Sequence, residues 1–276
     1  MTNAHDWQGG VGRNWAAEWR RTDTSFSELT PHLLAGIEVE PARQVVDVGC
    51  GAGEVAIAVA RGRPEAKVTG IDISPDLIAA AQDRGSGIAN LSFALADASQ
   101  WWHPQSAPDL YVSRHGVMFF ADPPSAFAHL AASATPDARM IFTCFRGAAQ
   151  NEWATAIASL LPPLESPTSA PFAPGPFAFS DPDHVRRCMT GWRDLTFTPL
   201  EFGYVAGAGV DPVAEAMAMF LRIGPSAFAM RTLPERERAA FERRLLELVE
   251  AHHDGSRVTF RGAAWLVTAT SDHSHG

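Results

Sequence analysis

Lysine is all but missing from this chain: Lys67 stands alone among 276 residues, and arginine carries the rest of the positive side-chain charge. No lysine other than Lys67 is therefore available for catalysis, and no polybasic stretch exists to follow a nucleic-acid backbone. The net charge of −9 points the same way, against nucleic acid as a partner. Arg236, Arg238, Arg243 and Arg244 do cluster, but Glu235, Glu237, Glu242 and Glu247 interleave with them. That spacing predicts a solvated helix face held by i,i+4 pairs. Cysteine is scarce as well. Cys50, Cys144 and Cys188 are odd in number and lack C-x-x-C spacing, which argues against both a disulfide framework and a zinc site. No apolar run approaches the ~20 residues that a membrane span needs. The opening Thr2-Asn3-Ala4-His5-Asp6 lacks the charged and apolar regions of a secretion signal. The expectation is a soluble cytoplasmic protein with no membrane partner, its oligomeric state left open.

What is abundant is apolar side chain, 46% of the chain, enough to bury a full core in one large domain or a domain with a cap. The first forty residues read as helices anchored by Trp7, Trp15, Trp19, Phe26, Leu29, Leu33 and Leu34, with Pro41 ending the run. Strands and helices then alternate, as they do where a parallel sheet is covered on both faces. Strands are expected at 44–48, 67–71, 91–95, 108–113 and 139–145, with helices at 53–62, 75–84 and 123–134. Ser74-Pro75 and Asp122-Pro123 are helix starts, since proline lacks the donor that would go unpaired there. After residue 148 the alternation breaks. A helix over 151–161 precedes a proline-crowded stretch, expected as a loop or lid over 162–180. A helix from Asp181-Pro182, a strand at 193–205, helices at 211–221 and 234–252, and a strand at 257–270 follow.

The fold expected is α/β: a Rossmann-like, mostly parallel seven-stranded sheet with helices on both faces, N-terminal helices and a helical cap insertion. Its parts would be an N-terminal helical lid over 1–40, a cofactor-binding core over 41–148, a cap and substrate region over 149–254, and a closing strand and tail over 255–276, all within a single domain.

The most telling stretch is Val45-Val46-Asp47-Val48-Gly49-Cys50-Gly51-Ala52-Gly53-Glu54, an apolar strand running into three alternate glycines. Such glycines let a backbone come close to a ligand where a Cβ would clash. A dinucleotide fingerprint would need glycine at position 54, where Glu54 stands. Its carboxylate would repel a pyrophosphate at the helix start. The turn fits instead a ligand without phosphate and with an amino group, S-adenosyl-L-methionine.

The residues then resemble a family over most of the chain: class I S-adenosylmethionine-dependent methyltransferases, in particular the group similar to ubiquinone/menaquinone-biosynthesis enzymes. Asp47–Gly53 resembles that family's first motif, Gly70-Ile71-Asp72-Ile73-Ser74 the second, and Ala96-Asp97-Ala98 the third. Residues 109–120, from Asp109 to Phe120, resemble the fourth motif and its continuation, and Gly262–Ala269 a closing strand. The resemblance implies that Gly49, Cys50, Gly51, Ile73 and Ala98 contact the cofactor and that Ser113 and its neighbours touch its methionine part. Gly9-Gly10-Val11-Gly12 followed by Trp15 is similar to the segment that closes over the cofactor. One departure is Pro136-Asp137-Ala138-Arg139, where the group carries a glycine pair.

Several side chains have chemistry of their own. Asp72 ends the second strand, where open α/β sheets bind ligands, and a carboxylate there can accept from both ribose hydroxyls. Asp97 ends the third strand and can accept from an adenine amine, or else only cap the next turn. Asp47 lies in an apolar strand, where an unpaired carboxylate is costly, so it needs donors. The glycine turn's N–H groups and a cofactor ammonium are the nearest, and a purely structural brace is the competing reading. Cys50 reads as a small residue tolerated beside the cofactor, with no base at hand to activate it. Trp15 offers an aromatic face to a sulfonium. His115 is the candidate catalytic base, since imidazole takes a proton near neutral pH, with packing as the alternative.

The implied activity is in-line methyl transfer to a small-molecule acceptor, at oxygen, carbon or nitrogen, without a metal. Orientation in a dry cleft then does most of the work. Phe172, Phe177, Phe179, Trp153, Met217 and Phe220 are the candidate acceptor lining and suggest an apolar or aromatic molecule, though each also has a place in a core. The rival readings are a non-catalytic S-adenosylmethionine-binding or regulatory protein, and a nicotinamide oxidoreductase, which Glu54 disfavours.

Overall fold

The computed structural model describes residues 4–161 and 172–272. Four helices lead: α1 (Ala4–Gln8), α2 (Gly10–Ala17), α3 (Trp19–Ser25) and α4 (Thr30–Glu38). The alternating core follows as β1 (Gln44–Val48), α5 (Glu54–Gly62), β2 (Lys67–Asp72), α6 (Pro75–Arg84), β3 (Leu91–Leu95), β4 (Leu110–Arg114), α7 (Pro123–Ser133) and β5 (Arg139–Phe145). The remainder is α8 (Glu152–Leu160), α9 (Pro182–Cys188), β6 (Trp192–Ala208), α10 (Pro212–Arg222), α11 (Gly224–Thr232), α12 (Glu235–Ala251) and β7 (Arg257–Ser271).

One start signal recurs four times, a short polar residue followed by proline. Ser74, Asp122, Asp181 and Asp211 each accept from a backbone N–H two or three residues on, and the proline takes a position whose donor would be orphaned. The late half differs from expectation in one element. Helix α11 fills the gap between the two helices expected there, because Gly224 turns the chain at φ 78° and Pro225 restarts it. Of the loop expected over 162–180, residues 162–171 lie outside the described residues, and 172–180 form irregular turns.

The sheet runs β3-β2-β1-β4-β5-β7-β6. β1 to β5 are mutually parallel, and β7 runs antiparallel between β5 and β6. Side chains alternate between the two faces, as strand geometry requires. Val45, Leu110, Val112 and Ile141 pack with α4 and α5 in one cluster. Val46, Val48, Tyr111, Met140 and Phe142 pack with α7, α9, α10 and α12 in the other. Each large side chain sealed there contributes roughly 1.5–3 kcal/mol. Asp47, two residues from Val45, faces the α5 side by the same alternation. The strand order reverses between β1 and β4, and their carboxyl ends open a crevice at that switch point.

Asp137 adopts φ 60° in the turn before β5 and pairs with Arg193 at 2.6 Å. An aspartate tolerates this left-handed conformation better than most residues, so the missing glycine pair is replaced without losing the turn. On α12 the cluster is mostly exposed, as expected of a solvated face, but three of its arginines make contacts other than i,i+4 pairs. Arg238 donates to the Leu233 carbonyl at 2.8 Å and Arg244 to that of Leu160 at 2.9 Å, while Arg236 pairs with its neighbour Glu237. They tie the helix to its surroundings through backbone carbonyls.

Candidate active site

β1 delivers the chain into the glycine turn at the switch point. Gly49 (φ 65°) passes so close to Gly116 that a Cβ on it would lie 2.9 Å from the Gly116 Cα. A Cβ on Gly116 would lie 2.6 Å from the Val48 carbonyl oxygen, so glycine is needed on both sides. Ser113 holds the two segments together. Its hydroxyl donates to the Val48 carbonyl at 2.7 Å and accepts from the Gly116 N–H at 3.1 Å. Gly51 (φ 54°) has open space where a Cβ would sit, and its N–H donates to Asp72 Oδ2 at 2.9 Å. The Ser74 N–H donates to Asp72 Oδ1 at 2.9 Å. Asp72 thus ties the first turn to the second.

A cavity of ≈ 210 Å³ opens beside this turn. Its walls include Asp47, Gly49, Cys50, Gly51 and Asp72 from the core, with Arg114 and His115 past β4. Trp7, Trp15, Trp19, Asp23 and Phe26 come from the N-terminal helices, and Phe145, Trp153, Tyr204, Met219, Phe220 and Ser226 from later elements. A separate groove holds Ile73 and Asp97 together with Gln8, Pro75, Leu95 and Ala96. The candidate cofactor residues therefore divide between a cavity and an adjoining groove. Ser113 and Ala98 line neither. Ser113 is fully buried and spent on bracing the turn, and Ala98 belongs to the core.

Asp47 finds its backbone donor on α5. Asp47 is 1% exposed and accepts from the Ala56 N–H of α5 at 3.0 Å, not from the glycine turn, whose Gly51 N–H goes to Asp72. Burial raises the Asp47 pKa to about 7, against the pull of Arg114 and the Ala56 N–H. Burial also raises Asp72, offset by backbone N–H groups of Ser74, Gly51 and Ile73. Burial pushes the Cys50 thiol up, which keeps it protonated and unreactive. Asp97 spends Oδ1 on the Ser99 N–H and hydroxyl, at 2.9 and 2.7 Å.

His115 lies at φ 62° and is 7% exposed, its ring stacked on Phe145 with centroids 4.1 Å apart and beside Phe26 at 5.0 Å. Burial first, and then Arg114, lower its pKa to about 3. An imidazole that titrates near neutral pH is thus not what the cavity holds: the ring is neutral there. Neither ring nitrogen has a hydrogen-bond partner, and the same is true of Trp7 Nε1, Trp153 Nε1 and Ser226 Oγ, all on side chains that line the cavity.

The N-terminal helices are fastened over the cleft by charge. Asp23 of α3 takes Arg84 at 2.6 Å and Arg114 at 3.6 Å, while Arg114 also bonds Glu54 and donates to the Thr30 hydroxyl at 2.8 Å. Burial raises Glu54 to about 7, opposed by Arg114, with the neighbouring Asp23 carboxylate raising it further. The Arg84 guanidinium stacks on Trp19 at 3.7 Å. Gly12 of α2 meets the second turn so tightly that a Cβ there would fall 2.2 Å from Ser74 Oγ.

Sequence reasoning missed much of the cavity's aromatic wall. Trp153 and Phe220 line the cavity as expected. Phe179 is instead in the core, Met217 packs against that core, Phe172 stacks on His184, and Phe177 stacks on Trp153. Phe26, Phe145, Tyr204 and Met219 take their place. β5, β6 and α10 are brought to the cleft by the late antiparallel strands, a pairing that no local motif announces. Glu54 did carry a signal in its departure from the dinucleotide pattern; its partners Asp23 and Arg114 did not.

Comparison with known proteins agrees with this geometry. Residues 45–137 match the methyltransferase domain family. Trans-aconitate 2-methyltransferase of Methylobacterium radiotolerans is 36% identical over 106 residues, covering 38% of this chain and 39% of that protein. The Escherichia coli enzyme of the same name (strain E24377A) is 31% identical over 131 residues, covering 48% of each. The matched stretch thus spans less than half the length of these curated relatives. Phosphoethanolamine N-methyltransferase 2 of Haemonchus contortus, in complex with S-adenosyl-L-methionine, superposes with TM-score 0.51 at 15% identity, covering 94% of this chain and 57% of that one. Over residues 45–137 the chain is similar to the methyltransferase domain family, and its fold is that of solved methyltransferase structures. Residues 45–137, from β1 through the turn before β5, are the part that the domain family covers.

Proposed function

We propose that this protein is an S-adenosylmethionine-dependent methyltransferase acting on an apolar or aromatic small molecule at oxygen, carbon or nitrogen. The observation that carries this reading is one cavity with a glycine turn and three carboxylates, Asp47, Glu54 and Asp72, on its core side and aromatic rings on the other. The residues fit the cofactor. Gly51 leaves room for close backbone approach, the carboxylates suit a ligand of net positive charge, and Glu54 at the start of α5 repels phosphate.

Asp72 and Asp97 would take the ribose and adenine ends, with Ile73 beside them. Gly49, Cys50, Gly51 and Asp47 would face the methionine end, and Trp15 would close over it from the N-terminal lid (1–40). Bound there, the cofactor would supply a methyl group already activated on sulfonium sulfur. The chain's share is to align the acceptor and exclude water, and orientation of this kind supplies roughly 7–11 kcal/mol. His115 is the group placed to accept a hydrogen bond from a hydroxyl acceptor and take its proton as the oxygen loses electron density. With its pKa lowered to about 3 by burial and Arg114, the ring is a weak base that takes the proton only once methyl transfer has made it acidic.

The test is transfer of isotope-labelled methyl from S-adenosylmethionine to a panel of small acceptors, trans-aconitate among them because the relatives are named for it. The reading expects a labelled aromatic product and release of S-adenosylhomocysteine. Cofactor binding with no product from any acceptor would instead favour a non-catalytic, cofactor-binding role.

A further inference from the structure

The charge and the unpaired donors of the cavity define its occupant more narrowly. Resting on the methyltransferase reading, we infer that the acceptor is uncharged, carries a hydrogen-bond-accepting oxygen on its aromatic or apolar frame, and that carboxylate acceptors are turned away.

The first argument is charge. Among the described residues the lining holds Asp23, Asp47, Glu54 and Asp72 against one guanidinium, Arg114. Arg114 is already committed to Glu54, Asp23 and the Thr30 hydroxyl. Protonating Asp47 or Glu54 lessens the negative charge but creates no spare cation. Lys67 begins β2, at the strand end opposite the cleft. The sequence from 162 to 171 contains no lysine, arginine or histidine. The cofactor's own carboxylate comes with its ammonium beside it, but a carboxylate on the acceptor would be desolvated with nothing to pair it, which folded sites avoid.

The second argument is hydrogen bonding. Buried polar atoms are nearly always partnered, so those that are not call for a reason. The indole N–H of Trp153 and the hydroxyl of Ser226 have no partner, and both side chains line the cavity. An indole N–H can only donate, so its partner must be an acceptor atom. Trp153 stacks on Tyr204 at 5.2 Å and His115 on Phe145 at 4.1 Å, with Trp153 tilted against Phe145, which surrounds the indole with an aromatic wall.

Three matched probes test this by calorimetry on protein saturated with S-adenosylhomocysteine: 2-naphthol, 2-methylnaphthalene and 2-naphthoate. The expected order is 2-naphthol tightest, the hydrocarbon about tenfold weaker, and the carboxylate without detectable binding. Trp153→Phe keeps the ring and removes only the N–H. It should weaken 2-naphthol by about three- to tenfold and leave the hydrocarbon unchanged. The double variant Asp23→Asn, Glu54→Gln releases Arg114 and should admit 2-naphthoate. Equal affinity for alcohol and hydrocarbon, tighter binding of the carboxylate, or no binding of any probe to the cofactor-loaded protein overturns the inference. Failure of S-adenosylhomocysteine itself to bind would overturn the methyltransferase reading instead.

Discussion

His115 shows how position overrides residue type. An imidazole ordinarily titrates at 6.5, but burial against Phe145 and Phe26 brings this one to about 3. The unfolded chain takes up this proton as pH falls past about 6.5, whereas the folded ring refuses it until about 3. In that window the unfolded state binds more protons, so the stability owed to a neutral His115 is present above it and lost on acidification. Asp47 and Glu54 have the opposite sign. Their folded pKa values are raised to about 7, so the stability they gain by holding a proton is present below the ordinary carboxylate range and lost as pH rises through 7. His115→Phe isolates the histidine, because both carboxylates are common to the two proteins. The variant's melting temperature should gain on the wild type as pH drops from about 7 to about 4. A difference that stays constant over that range in scanning calorimetry would mean the ring is solvated or already paired.

At the scale of elements, α1 to α3 are held to the core by a small number of strong contacts. Asp23 is the hub, placed between Arg84 and Arg114, with Trp19 under the Arg84 guanidinium. Partly buried pairs of this kind are worth about 1 kcal/mol or somewhat more, so their loss shifts a local opening equilibrium by roughly five- to tenfold. Asp23→Asn should therefore speed amide hydrogen exchange in residues 4–25 by about that factor while β4 and β5 keep their protection. Equal exchange in variant and wild type would remove the clasp from the account. The strands and core helices were legible because β1 to β5 are buried runs punctuated by Ser-Pro, Asp-Pro and Gly-x-Gly signals that act locally. The clasp was not legible, since Asp23, Glu54 and Arg114 meet only through tertiary packing. α11 was hidden for a related reason: Gly224-Pro225 reads as a break, and the helix begins at that break. Ser113 was legible as a site residue, but its role as a brace follows from a carbonyl 65 positions away in the chain.

Across the whole molecule, two halves with different logic meet at one crevice. The parallel half (β1 to β5) follows local rules and brings the glycine turn, Asp72 and Asp97 to the carboxyl ends of its strands. The antiparallel half (β6 and β7, with α10 to α12 between them) closes the other side with aromatic rings. The glycine-turn side of the cavity could therefore be named from motifs, while most of its aromatic side could not, because those neighbours come from strand pairings tens of residues apart. The central claim is that Asp72 and the glycine turn hold S-adenosylmethionine, and titration calorimetry of S-adenosylhomocysteine into wild type and Asp72→Asn tests it most directly. The account predicts saturable binding to the wild type and about a 10- to 100-fold loss in the variant, since hydrogen bonds to a charged group contribute on the order of 1.5–3 kcal/mol. Wild-type affinity in a folded Asp72→Asn protein, or binding of NAD in place of S-adenosylhomocysteine, would contradict it.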